Sequence, residues 1–159
     1  MRITKRTNIA MRVLMFCGAH EGVLVTKAMV AEKCNTSESH LAQVIYKLAQ
    51  LGYLYTQRGR SGGFTLARPM AEIVIGDIFR EFESEQHNLE CFADGDNTCP
   101  LVKGCRLRLT LKEALEAFYN RLDKETLDNL VCGNTALLEL FVMPSCHSTR
   151  PLRTGTDRG

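Results

Sequence analysis

Apolar residues recur at a three-and-four spacing in three stretches of the first fifty residues, each bounded by a capping residue and a breaker. Over 7–18, Ile9, Ala10, Val13, Leu14 and Cys17 make one stripe, with Thr7 as the expected cap and Gly18 and Gly22 as the stop. A shorter segment, 27–34, follows Thr26 and carries the small apolar Ala28, Met29 and Ala31. The third opens at Ser37 and runs to Leu51, with Leu41, Val44, Ile45, Leu48 and Leu51 on one side and Gly52 closing it. The period then changes. Residues 53–56 and 64–66 are aromatic and β-branched runs, and Gln57-Arg58-Gly59-Arg60-Ser61-Gly62-Gly63 between them is turn chemistry, which predicts a β-hairpin with a glycine-loosened tip.

Farther along, the pattern predicts a short helix from Gly76 to Glu83, little periodicity from 84 to 105, and a longer helix from Arg106 to Asp123. That helix bears Leu107, Leu111, Ala114, Leu115, Phe118 and Leu122 on one face, more apolar surface than so small a neighbouring domain covers, and the surplus predicts a two-fold dimer. A last helix is expected over 136–143, and beyond Pro144 a Ser/Thr/Arg/Gly/Pro composition predicts a disordered tail. The expected fold class is therefore mainly α with a small β-hairpin. A winged helix-turn-helix domain occupies 1–83, a cysteine loop 84–105, a dimerisation helix and C-terminal helix 106–143, and the tail 144–159.

A two-helix turn places the third helix with one face buried and the other turned outward, as DNA-reading helices are. Its outward face holds Ser39, His40, Gln43, Lys47 and Gln50, donors and acceptors of the kind that reach base edges and phosphates. A hairpin after such a pair is a wing, from which Arg58 and Arg60 can enter the negative potential of a minor groove; Arg12 is a candidate phosphate contact. Charge supports the reading: the net +2 divides into +7 over 1–70 and −6 over 71–130, the outline of a nucleic-acid reader joined to a differently tasked module.

With 159 residues, 45% of them hydrophobic, the chain forms one domain of ordinary core and excludes barrels and two-lobed enzymes. The apolar run from Val13 to Ala19 is too short for a membrane span, and a cytoplasmic protein is expected. No phosphate loop or nucleophile-base pair is present, and His20, His40, His87 and His147 are scattered, so an enzyme is not expected.

Seven cysteines are many for this length, but their number is odd, which turns attention from disulfides to metal or redox chemistry. Cys91, Cys99 and Cys105 fall in the aperiodic stretch. Their spacing fits an iron-sulfur centre, a zinc completed by His87, or three unrelated thiols. Cys105 sits where the long helix begins, where the helix dipole favours a thiolate. Cys17, Cys34 and Cys132 occupy apolar or helical contexts and are expected in the core; Cys146 falls in the tail.

Taken together, the wing Arg58-Gly59-Arg60-Ser61-Gly62-Gly63, the following Leu66-Ala67-Arg68-Pro69, Ile75-Gly76-Asp77 and the three cysteines resemble the bacterial iron-sulfur repressors of the NsrR, RirA and IscR family. The resemblance runs from Met1 to Val131. Glu90-Cys91-Phe92, Asn97-Thr98-Cys99-Pro100, Cys105-Arg106-Leu107 and Thr126-Leu127-Asp128 are most similar to the NsrR and RirA branches. The resemblance implies a homodimeric repressor on a palindromic DNA operator, with a [4Fe-4S] cluster, or a [2Fe-2S] form, held by Cys91, Cys99 and Cys105. It implies release by nitric oxide in the one branch and by iron limitation in the other. It also places Asn8 where NsrR-type chains commonly carry an Asp that supplies a fourth ligand across the dimer, so the candidate here is a neutral amide.

Overall fold

In the computed structural model, which describes residues 3–83, 99–101 and 103–141, the first helix, α1 (Lys5–Ala19), is capped by Thr4 rather than by Thr7. The Thr4 hydroxyl accepts from the Thr7 amide at 3.2 Å. Thr7 itself is fully buried, and its hydroxyl donates to the carboxylate of Glu83. A sequence reading assigns it to a cap because Glu83, its real partner, is supplied only by the tertiary fold.

α1 is the central beam: Ile9, Ala10, Val13, Leu14, Phe16 and Cys17 are all buried. α2 (Lys27–Cys34) is capped by the Thr26 hydroxyl, which accepts from the Met29 amide, and ends in the left-handed Asn35 at φ 47°. α3 (Glu38–Gln50) buries Leu41, Val44, Ile45 and Leu48 against α1 and α2. Each of these four side chains stabilises the fold by about 1.5–3 kcal/mol through burial. Gly52, at φ +74°, turns the chain out of α3. Arg68 finishes the job from a distance: its Nε donates to the Gly52 carbonyl at 3.0 Å and its Nη2 to that of Leu51 at 3.3 Å. The guanidinium also lies 4.7 Å from the centroid of the buried Tyr53 ring.

The hairpin forms as expected from β1 (Leu54–Gln57) and β2 (Gly63–Leu66), antiparallel with Leu54 opposite Leu66 and Gln57 opposite Gly63. Val25, between α1 and α2, adds a separate antiparallel bridge to β2 by exchanging backbone hydrogen bonds with Phe64 at 2.9 and 2.8 Å. The glycines of the tip are required rather than merely permissive. Gly59 has φ +117°, and a methyl on Gly63 would lie 2.5 Å from the Val25 carbonyl.

A 3-10 turn, Met70–Glu72, leads into α4 (Ile75–Glu83). α5 (Arg106–Leu122) has no fully buried residue. The chain then returns: Ile75 N donates to Glu125 O and Leu127 N to Ile73 O, both at 2.9 Å. This leads into α6 (Leu127–Val131), and α7 (Thr135–Phe141) follows. Leu127, Val131 and Phe141 join the same core as α1, and Phe141 meets Phe16 edge-on with ring centroids 5.1 Å apart. The segment expected at 106–143 thus shares its core with the N-terminal segment, and Leu122 of α5 packs at the edge of that core. Cys132, expected in the core, is exposed at the end of α6, its thiol donating to Asp128 at 3.0 Å. The expectations for 84–98, including Cys91 and His87, and for the tail after 141 lie outside the described residues. Among the described residues no helix is long and apolar enough to cross a membrane.

Candidate nucleic-acid interface and cysteine site

α3 turns Ser39, His40 and Gln43 to solvent, all exposed, on the side opposite its buried leucines. The Ser37 hydroxyl at the helix start lies 2.9 Å from His40 Nδ1 instead of capping an amide. It thereby holds the imidazole beside the N-terminal turn, the part of such a helix that meets base edges. Arg58 and Arg60 are exposed on the hairpin tip. Arg12 is also exposed, and its Nη1 donates to the Cys34 carbonyl at 2.8 Å, fixing a positive charge beside the turn that precedes α3.

Lys47 behaves differently from its neighbours. It is half-buried, its Nζ donates to the Glu81 carbonyl at 2.5 Å and sits 4.8 Å from the centroid of the Phe82 ring. The ammonium therefore ties α3 to the last turn of α4. The helix period alone could not distinguish this position from the rest of the polar face, because α4 reaches it only in the folded chain.

α4 is in turn clamped to the end of α5. Arg80 donates to both carboxylate oxygens of Asp123 at 2.7 and 2.6 Å, and its guanidinium lies 4.7 Å from the centroid of the Tyr119 ring. The bidentate bonds hold the Asp123 carboxyl below the usual carboxylate range. Phe79 and Phe118 meet edge-on nearby, centroids 5.9 Å apart. The other end of α4 is the Glu83 carboxylate, which accepts from the Thr4 amide at 2.8 Å and from the Thr7 hydroxyl at the start of α1. Asn8 is exposed one residue farther along, on the outer side of that first turn.

Of the three expected sulfur ligands, Cys99 and Cys105 are described, both half-buried and neither in a disulfide. Cys105 is the N-cap residue of α5 and makes no side-chain cap bond. Among the described residues no three His, Cys, Asp or Glu side chains converge as a metal site, and Cys91 lies outside them. By donor chemistry, two cysteine sulfurs of this kind suit a soft metal centre. Cys17 and Cys34 are buried in the core instead; burial pushes the Cys17 thiol up to about 12 and raises that of Cys34.

Known proteins resemble this chain over most of its length. The chain is 45% identical over 142 residues to the HTH-type transcriptional regulator NsrR of Geobacillus kaustophilus, covering 89% of this chain and 97% of that one. It is 41% identical over 150 residues to the HTH-type transcriptional repressor NsrR of Streptomyces coelicolor, covering 91% and 99%. Among solved structures, T. potens IscR superposes with a TM-score of 0.65 at 23% identity, covering 82% of this chain and 85% of that one, which supports the fold. The Rrf2 family model, described as an iron-dependent transcriptional regulator, matches residues 3–133, and the chain belongs to the Rrf2 family of transcriptional regulators.

Proposed function

We propose that the chain is a homodimeric repressor that binds a palindromic operator and releases it when nitric oxide reaches an iron-sulfur cluster held by Cys91, Cys99 and Cys105. The observation that carries the reading is the continuous mechanical path from the cysteines to the reading helix. Cys105 opens α5, Arg80 and Phe79 fasten α5 to α4, and Lys47 fastens α4 to α3. The cluster, [4Fe-4S] in preference to [2Fe-2S], would supply a centre reactive toward nitric oxide. Everything downstream is done by the chain's own residues.

Ser39, His40, Gln43 and Lys47 face the major groove, the Lys47 ammonium keeping the Glu81 carbonyl with one of its three N–H groups and offering another to a phosphate. Arg58 and Arg60 enter the minor groove, and Arg12 holds the backbone beside the N-terminal end of α3. Asn8, exposed at the start of α1, is the candidate fourth ligand from across the dimer, an amide of weaker donor strength than a carboxylate. A change of position at Cys105 shifts α5, and the Arg80 and Lys47 links pass the shift to the half-site helix. The reading assigns no reaction to the chain.

The test is an anaerobic absorption spectrum taken through stepwise addition of nitric oxide, beside an operator-binding assay. Loss of iron-sulfur colour should parallel loss of binding; binding that persists after the colour is gone would refute the sensor reading. Cys99→Ala should remove the colour altogether. If 6 to 10 phosphates are contacted, affinity should fall by roughly 10³–10⁵ between about 50 and 200 mM salt. A second reading, an iron-responsive repressor, is favoured by the family description, and chelation releasing DNA ahead of low nitric oxide would select it. A colourless protein with stoichiometric zinc would select a zinc-stabilised regulator instead.

A further inference from the structure

We propose that Ala42 and Tyr46 form an apolar strip on α3 that reads the C5-methyl groups of thymines in the operator, an inference that rests on α3 being the reading helix. Both residues are exposed, and Tyr46 is 64% so, although it stands in the middle of a helix with a well-packed inner face. One helical turn apart, their side chains are neighbours on the helix surface. The ring is also held. The Gln50 amide donates to the Tyr46 hydroxyl at 3.0 Å, so the hydroxyl is occupied and the ring attitude is fixed before any partner arrives.

The surroundings decide what the strip fits. Ser39, Gln43 and Gln50 border it, so it is a narrow apolar line within a polar face and too small to seat a protein partner. The +7 charge of residues 1–70 selects a polyanion as the surface that approaches. In the major groove the thymine methyl is the one apolar feature a base edge presents, and small apolar and aromatic side chains are its ordinary contacts. Polar readers on one side and an apolar reader on the other would let α3 distinguish thymine from cytosine at positions where Gln43 alone has no preference.

The experiment uses the full-length protein and a duplex selected by it from a random pool. Each thymine of the selected site is then replaced by deoxyuridine, which removes the methyl group and leaves every hydrogen-bonding edge intact. At one or more thymines of each half-site the wild type should bind about fourfold more weakly, the worth of one buried methyl. Tyr46→Phe should keep that difference, and Tyr46→Ala should erase it while keeping the wild-type salt dependence and melting temperature. Equal binding to thymine and uracil duplexes, or undiminished discrimination by Tyr46→Ala, would overturn the inference and leave the DNA-binding reading standing. Absence of any salt-dependent duplex binding by the wild type would sink both.

Discussion

Gly76 shows why a single hydrogen atom can be required in place of a methyl. A Cβ at this position would overlap the Asp123 carboxylate, which is pinned there by both Arg80 nitrogens. Alanine is ordinarily the better helix former by about 0.5–1 kcal/mol, so two effects of opposite sign compete in Gly76→Ala. With Asp123 present, the overlap should win and the variant should lose about 1 kcal/mol in urea unfolding. In an Asp123→Ala background the sign should reverse; a loss of the same size in both backgrounds would show that Asp123 is not the obstacle. Because the Asp123 carboxyl is held below its ordinary range, the clamp is complete at neutral pH. It weakens only as the pH falls from the ordinary carboxylate value through the depressed one. The buried cysteines give a second residue-scale expectation. With its thiol pushed up to about 12 by burial, Cys17 should resist alkylation at pH 8 in the native protein, as should Cys34, until denaturant is added. Rapid labelling of either in the folded state would contradict their place in the core. The sequence alone separated these two from the remaining thiols by their apolar neighbours, but it placed Cys132 with them. What distinguishes Cys132 is its position past the last turn of α6, whose five residues are too few to display a stripe.

Among the elements, the helices with a full stripe, α1 and α3, and the hairpin with its turn residues were legible before any coordinates. The expected and observed bounds of α2 coincide because Thr26 and Asn35 mark both ends chemically. The short 3-10 turn and α6 were not legible, since each is fixed by long-range partners: Leu127 by the Ile73 carbonyl, Ile75 by that of Glu125. Lys47 was legible as polar and not as a tether, for the same reason. The wing illustrates the opposite case, a motif recognised correctly and explained incompletely. Its glycines were read as looseness, whereas Gly63 is the point where β2 passes against the Val25 carbonyl and the Leu24 side chain. Backbone cannot yield as a side-chain tip can, so Gly63→Ala should unhook the hairpin from the α1–α2 turn and lose about 1–3 kcal/mol of stability. It should also weaken operator binding more than Arg60→Ala does, because the former displaces both wing arginines and the latter removes one. Wild-type melting of Gly63→Ala would show that the hairpin moves freely against Val25.

Among the described residues one large face is left unexplained by packing within the chain. Among the described residues α5 packs on α4 near its C-terminal end, where Phe118 meets Phe79, while Leu107 is 64% exposed at its other end. Leu111, one turn on from Leu107, is only half-buried. An exposed leucine alone is unremarkable, but Leu107, Leu111, Ala114 and Leu115 lie on one side of a seventeen-residue helix, a continuous stripe of the kind a second copy covers. A two-fold pairing of α5 helices would also bring two copies of α3 into a fixed spacing, which a palindrome requires. The double substitution of Leu107 and Leu111 by glutamate puts charge into the stripe without touching the core, since neither residue is buried. Sedimentation should then give a monomer at micromolar concentration, with circular dichroism and melting of the N-terminal core unchanged. Operator affinity should fall to that of a half-site, and the salt slope should drop by about half, because each half-site contributes its own phosphate contacts. A variant that stays dimeric would move the interface off α5, and a monomer that still binds the full palindrome with the wild-type slope would separate dimerisation from DNA recognition.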